Sequence, residues 1–195
     1  MLRRRCFACA ARIPAVYPLL EIGTAALFCT AWFVGGATPR GAALAGLAVL
    51  GPPLFVIDVQ QQRLPNVLVG AAAAWLIGCS IAQGVFYRSA ATPGRALLCG
   101  AGAAAALLLL AIATNGGMGM GDVKLAGTLG IASGLIAWST AVAALVWAFF
   151  IGGVIAAVLL ILGRAQRGTA IAFGPMLLIG ALVAVLQYPN GVVLG

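Results

Sequence analysis

The chain has 195 residues, of which 64% are hydrophobic and 7% are charged, and its 11 basic and three acidic side chains give a net charge of +8. A soluble domain carries about a quarter charged residues, so this composition excludes a soluble globular enzyme, a disordered segment and a secreted disulfide scaffold. The chain has no histidine, which excludes a Ser-His-Asp triad and a zinc site with histidine ligands. Its acidic residues are Glu21, Asp58 and Asp122.

Long uncharged stretches separate the charges and predict the helices. A helix that crosses a bilayer needs about 20 apolar residues, and most of the stretches have about this length. The stretch between Lys124 and Arg164 is about twice as long and suits two helices, with a break near Ser133–Gly134 or near residues 138–140. We predict seven helices, near residues 17–35, 41–58, 66–86, 95–114, 122–137, 139–162 and 170–188.

These helices predict an all-α, polytopic membrane bundle, because only helices satisfy the backbone in lipid at this apolarity. The number of transmembrane helices falls to six if the stretch after Asp122 is a short re-entrant segment. We predict two parts, a short basic cytoplasmic segment over residues 1–16 with a single Cys-x-x-Cys pair and a membrane-embedded domain over residues 17–195.

The basic residues predict the orientation. With the N-terminus inside, the cytoplasmic side carries Arg3, Arg4, Arg5, Arg12, Arg63, Lys124, Arg164 and Arg167, and the outer side carries Arg40, Arg88 and Arg95. Eight against three obeys the positive-inside rule. The positive charge is thus explained by orientation and by contact with membrane lipids, and it requires no nucleic-acid partner.

The same topology brings Asp58 and Asp122 to the cytoplasmic face, at one membrane depth. An acid at a membrane span is a candidate functional residue. The competing interpretation is that each acid caps a helix, with Asp122 as an N-cap after a glycine-rich run. The functional interpretation is a pair of carboxyl groups that share one proton, in which the ionised member polarises a water and the protonated member hydrogen-bonds the scissile carbonyl.

Four segments resemble the type IV prepilin peptidases, which are membrane aspartic proteases with a Gly-x-Gly-Asp motif. In chain order these are Tyr-Pro-Leu-Leu-Glu at 17–21, Asp58 followed by Leu-Pro-Asn at 64–66, Gly-Met-Gly-Asp-Val-Lys-Leu at 119–125 and Ala-Phe-Gly-Pro at 172–175. The resemblance implies an endopeptidase of the bacterial inner membrane that removes the leader of prepilin-like or pseudopilin precursors on the cytoplasmic side.

The resemblance also implies the site residues. Asp58 and Asp122 are the catalytic pair, and Gly119 and Gly121 are the glycines of the motif. Lys124 is either a basic anchor at the cytoplasmic face or a residue that acts on the pair. Glu21 matches a family position, but its role does not follow from the motif.

The chain departs from the larger members of that family, which carry an additional N-terminal helix and two Cys-x-x-Cys pairs that bind zinc, and which methylate the product with S-adenosylmethionine. Here there is one pair, Cys6 and Cys9, and a structural zinc requires four ligands. A second copy of the chain, or a start site further upstream, would complete the site. We expect proteolysis to require no cofactor, and zinc and S-adenosylmethionine only if the chain also methylates, which the residues leave open.

Two other functions stay open from the residues alone. One is a small ion- or proton-coupled transporter whose two intramembrane acids bind a cation or proton. The other is a catalytically silent assembly protein of a pilus or secretion machine. The sequence predicts neither the precursor class nor an oligomeric state.

Overall fold

The computed structural model describes residues 16–114, 118–163 and 172–188, and within these ranges it contains seven α-helices and no β-strand. In chain order the helices are α1 (Val16–Gly35), α2 (Pro39–Gln61), α3 (Asn66–Phe86), α4 (Ala91–Ala113), α5 (Met120–Gly134), α6 (Trp138–Ile161) and α7 (Gly174–Gln187). The predicted helical bundle is therefore confirmed. The predicted break in the long apolar stretch lies between Gly134 and Trp138, so this stretch forms the separate helices α5 and α6.

Five of the described helices, α1 to α4 and α6, are long and apolar enough to cross a membrane. Among them α1 and α6 are the least buried by the rest of the bundle. Large apolar side chains on these two helices, such as Phe33 and Ile161, are almost fully exposed. Exposed apolar surface on this scale is typical of helices that contact lipid rather than water. The chain is a multi-pass membrane protein.

Helix α5 lies at the centre of the bundle. Eleven of its 15 residues are buried, and it packs against α3, α4, α6 and α7. Its contact with α4 depends on small residues: a Cβ atom on Gly130 would lie 2.7 Å from the Cys99 carbonyl oxygen and 2.9 Å from the Ala103 Cβ atom. Glycine and alanine at such positions let two helix backbones approach closely, which is how helices associate in lipid.

The helix ends divide the bundle into two ends. The last residues of α2, α4 and α6 and the first residues of α3, α5 and α7 lie at the end that carries Asp58 and Asp122, and we call this the aspartate end. The connections from α1 to α2, from α3 to α4 and from α5 to α6 lie at the opposite end. The predicted juxtaposition of Asp58 and Asp122 at one end is therefore present in the structure.

Two arginines at the opposite end cap helices there. Arg40 Nη2 donates a hydrogen bond of 2.6 Å to the Val34 carbonyl, near the end of α1. Arg95 donates from Nε to the Gly134 carbonyl at 2.7 Å and from Nη2 to the Leu135 carbonyl at 3.0 Å, at the end of α5. The last carbonyls of a helix have no partner within it, so these cations satisfy acceptors that would otherwise be unpaired.

Candidate active site

Asp58 and Asp122 come from two different helices. Asp58 lies about one turn before the end of α2, and Asp122 lies in the first turn of α5. Both side chains are buried, with exposed fractions of 3% and 9%. The two carboxyl groups are close enough to interact electrostatically. Two buried acids so near each other cannot both ionise without a large cost, so the arrangement is suited to sharing one proton.

Asp122 is not the N-cap of α5, so the interpretation of Asp122 as an N-cap is wrong. The N-cap position is Gly119, and the backbone N–H of Asp122 donates to the Gly119 carbonyl at 3.0 Å. Asp122 is the third residue of the helix, and its side chain points into the bundle, where Asp58 lies. A Cβ atom on Gly119 would lie 3.6 Å from Asp122 Oδ2, so the missing side chain leaves that side of the carboxyl group open.

The chain that follows Asp58 packs directly onto the start of α5. Helix α2 ends with Gln62 in the left-handed conformation, and the Gln62 N–H donates to the Asp58 carbonyl at 2.8 Å. Leu64 then contacts Gly121: a Cβ atom on this glycine would lie 3.1 Å from the Leu64 Cβ atom. Gly121 therefore lets the segment after one aspartate close onto the turn that carries the other aspartate.

Lys124 joins the same two segments on their exposed side. Its Nζ atom donates a hydrogen bond of 2.9 Å to Asn66 Oδ1, across the contact between α5 and α3. Asn66 is the last residue of the Leu-Pro-Asn segment that follows Asp58. The structure thus gives Lys124 a partner next to the aspartate pair rather than within it.

The other predicted site residues are Glu21, Cys6 and Cys9. Glu21 is exposed on α1. Cys6 and Cys9, the proposed metal ligands, lie outside the described residues, as do residues 1–15 of the predicted basic segment as a whole. Within the described ranges no group of three or more histidine, cysteine or acidic side chains could hold a metal ion.

One residue at the site, Gly174, was not among the predicted site residues. Its backbone N–H donates a hydrogen bond of 3.0 Å to Asp58 Oδ2, and the bond is buried. Gly174 is the first residue of α7, and Pro175 follows it in the first turn. The sequence signal was the Phe-Gly-Pro segment at 173–175, which is part of the family resemblance but does not predict what the Gly174 N–H contacts.

The comparison with known families identifies the family of the chain. The sequence model of the Type IV leader peptidase family matches residues 42–161, a range that includes both aspartates. The chain belongs to this family. The match covers more than half of the chain, so the predicted family is confirmed. It ends before α7 begins, so Gly174 lies outside the matched range.

Curated relatives match almost the whole chain. The Prepilin leader peptidase/N-methyltransferase of Pseudomonas putida is 34% identical over 191 residues, which are 95% of this chain and 63% of that protein. The proteins of the same name from Stutzerimonas stutzeri and Pseudomonas aeruginosa are 33% identical (95% of this chain, 63% of the relative) and 32% identical (93% and 62%). The chain thus spans about 63% of the length of the curated relatives it matches. No solved structure matches the chain.

Proposed function

We propose that the chain is an aspartic endopeptidase that cuts the leader peptide from prepilin-like or pseudopilin precursors. The observation that carries the proposal is the pair of buried aspartates, Asp58 from α2 and Asp122 from α5, whose carboxyl groups interact at one end of the bundle. Membership of the leader peptidase family and the curated names of the relatives support the substrate class.

In the proposed reaction the two aspartates share one proton. The ionised carboxylate takes a proton from a water, and the oxygen of that water attacks the scissile carbonyl carbon. The protonated carboxyl group donates its proton to the carbonyl oxygen, which gives a gem-diol intermediate. A proton then passes to the leaving nitrogen, the C–N bond breaks, and the pair returns to its starting state with one shared proton. No step requires a metal or a nucleophilic side chain.

We propose that the aspartate end faces the cytoplasm of a bacterium and that the chain lies in its cytoplasmic (inner) membrane. The distribution of basic residues supports this orientation, because Arg63 and Lys124 lie at the aspartate end and Arg40, Arg88 and Arg95 lie at the other. Zinc and S-adenosylmethionine enter the proposal only if the chain also methylates its product. Cys6 and Cys9 would then hold the zinc, and no step of the proteolysis passes through it.

The test is co-expression of the chain with a prepilin-like precursor in a host that lacks its own leader peptidase. The wild type is expected to shorten the precursor, and Asp58→Asn and Asp122→Asn are each expected to abolish the shortening. Arg88→Gln is the matched control, because it also removes one charge but lies exposed at the opposite end. Cleavage that persists in both asparagine variants would refute the assignment of the pair, and no cleavage by the wild type would refute the proposed function.

A further inference from the structure

The start of α7 offers one backbone donor to its surroundings, and that donor is the N–H of Gly174. The first N–H groups of a helix have no partner within it. Pro175 has no N–H, and the N–H groups of Met176 and Leu177 both donate to the Phe173 carbonyl at 3.1 Å. The Gly174 N–H is the first-turn donor that remains, and it donates to the Asp58 carboxylate at 3.0 Å.

A side chain at position 174 would collide with the Asp58 carboxylate, so the reason for glycine here is space rather than backbone conformation. A Cβ atom on Gly174 would lie 2.5 Å from Asp58 Oδ2, 3.1 Å from Asp58 Cγ and 3.4 Å from Leu125 Cδ2. The described glycines with positive φ are Gly36 and Gly163, and Gly174 is not one of them. The lack of a side chain at Gly174 therefore lets the Asp58 carboxylate approach the start of α7 closely.

Contacts with helix α6 hold the start of α7 in position. The rings of Phe149 and Phe173 lie with their centroids 5.2 Å apart, and Phe173 Cε2 lies 3.0 Å from where a Cβ atom of Gly152 would be. Phe173, the residue before Gly174, thus packs against the Phe149 ring and into the space left by Gly152 on α6. The donor that meets Asp58 is part of a packed contact between two helices.

We propose that Gly174 is a positioning residue, whose N–H at the start of α7 orients the Asp58 carboxylate and keeps it ionised, so that Asp58 takes the proton from water and Asp122 carries the shared proton. This inference rests on the proposed function. A hydrogen bond donated to a carboxylate stabilises its charged form, and the partial positive charge at a helix N-terminus adds to this stabilisation. Asp122 also interacts with the Gly174 N–H, but the hydrogen bond at 3.0 Å goes to Asp58.

Few other charged groups in the described structure act on Asp58. Asp122 on α5 is the acid that faces it. Lys124 donates to Asn66 instead, Glu21 on α1 is exposed, and the described residues of α3 and α7 carry no charged side chain. The pH dependence of the reaction should therefore report on the pair and on its backbone donors, Gly174 beside both carboxyl groups and Gly119 beside Asp122.

The experiment compares Gly174→Ala with Gly180→Ala. Both glycines lie on α7, and both lack room for a side chain, since a Cβ atom on Gly180 would lie 2.6 Å from the Ala144 carbonyl oxygen on α6. Gly180, however, lies about two turns further along α7 than Gly174, the residue that contacts Asp58. Cleavage of a prepilin-like peptide is measured against pH with the purified full chain, together with the temperature of thermal unfolding.

Gly174→Ala is expected to lower kcat by at least about tenfold with little change in KM, and to move the acidic limb of the pH–rate profile about one unit towards higher pH. One hydrogen bond to a charged group is worth about this factor of ten. The shift is upwards because the added Cβ atom pushes the Asp58 carboxylate away from the backbone N–H of residue 174, and a carboxyl group that has lost this hydrogen bond gives up its proton only at higher pH. Gly180→Ala is expected to lower the unfolding temperature and leave the acidic limb in place.

A second variant, Phe173→Leu, covers the case in which Gly174→Ala does not fold. This substitution weakens the packing of the start of α7 against α6 without adding an atom beside Asp58. It is expected to shift the acidic limb in the same direction by a smaller amount. An unchanged acidic limb in the folded Gly174→Ala protein, or in Phe173→Leu when the first variant does not fold, overturns the inference while the proposed function stands. A wild type that does not cleave overturns both.

Discussion

The hydrogen bond between Lys124 and Asn66 separates two roles for Lys124. The bond is 2.9 Å long and exposed, and an exposed bond to a charged donor is worth about 1 kcal/mol. If Lys124 acts only by holding Asn66 against α5, its loss can weaken the aspartate geometry by no more than this energy. Lys124→Met should then lower kcat/KM by about fivefold. If Lys124 instead acts directly on the proton shared by the pair, its substitution should lower kcat/KM by at least about 100-fold.

The assay is a double-mutant cycle of Lys124→Met and Asn66→Ala, with kcat/KM measured on the purified chain. Because both substitutions break the same bond, the double variant should be about as active as either single variant. The result that would refute this reasoning is a loss of more than about 100-fold in Lys124→Met together with full activity in Asn66→Ala. Lys124 would then act on the aspartates without Asn66.

Two glycine substitutions test the packing around the site. Gly121→Ala places a Cβ atom 3.1 Å from the Leu64 Cβ atom, so the segment after Asp58 must shift by a few tenths of an ångström. We expect kcat/KM to fall about tenfold and to recover in part when Leu64→Ala is added. Wild-type activity in Gly121→Ala would contradict the proposed contact. Gly130→Ala forces α4 away from α5, which should cost about 1–3 kcal/mol and lower the unfolding temperature in detergent. Gly102→Ala is its control because a Cβ atom there meets nothing within 4 Å, and equal unfolding temperatures for the two variants would count against the close packing.

The sequence predicts most of the fold because charges are costly in lipid. The positions of Arg40, Arg63 and Lys124 mark where helices reach the membrane surface, and hydropathy marks the stretches between them. This information places most of the helix ends and so brings Asp58 and Asp122 to one end. The break between α5 and α6 carries no charge, and its place was predicted only approximately. The helix bounds differ most at the starts of α4 and α7, which begin at Ala91 and Gly174 rather than near residues 95 and 170.

Hydropathy does not predict which helices touch or which way their side chains point. The contact of Gly174 with Asp58 joins residues 116 positions apart, and it follows from how α7 packs on α6 through Phe173. The competing interpretation of Asp122 as the N-cap of α5 arises because an aspartate after glycines is a common capping pattern. In the structure Gly119 takes the N-cap position, and Asp122 lies three residues further on, buried beside Asp58.

The central claim is that the two aspartates act as one catalytic unit on a leader peptide. The most direct test is the rate of cleavage of a prepilin-like precursor by the purified, lipid-reconstituted chain, compared among the wild type, Asp58→Asn, Asp122→Asn and the double variant. Each single variant is expected to lose at least about 100-fold and the double variant to lose no more, because either substitution removes the shared-proton pair. A single asparagine variant that retains near wild-type cleavage would contradict the claim.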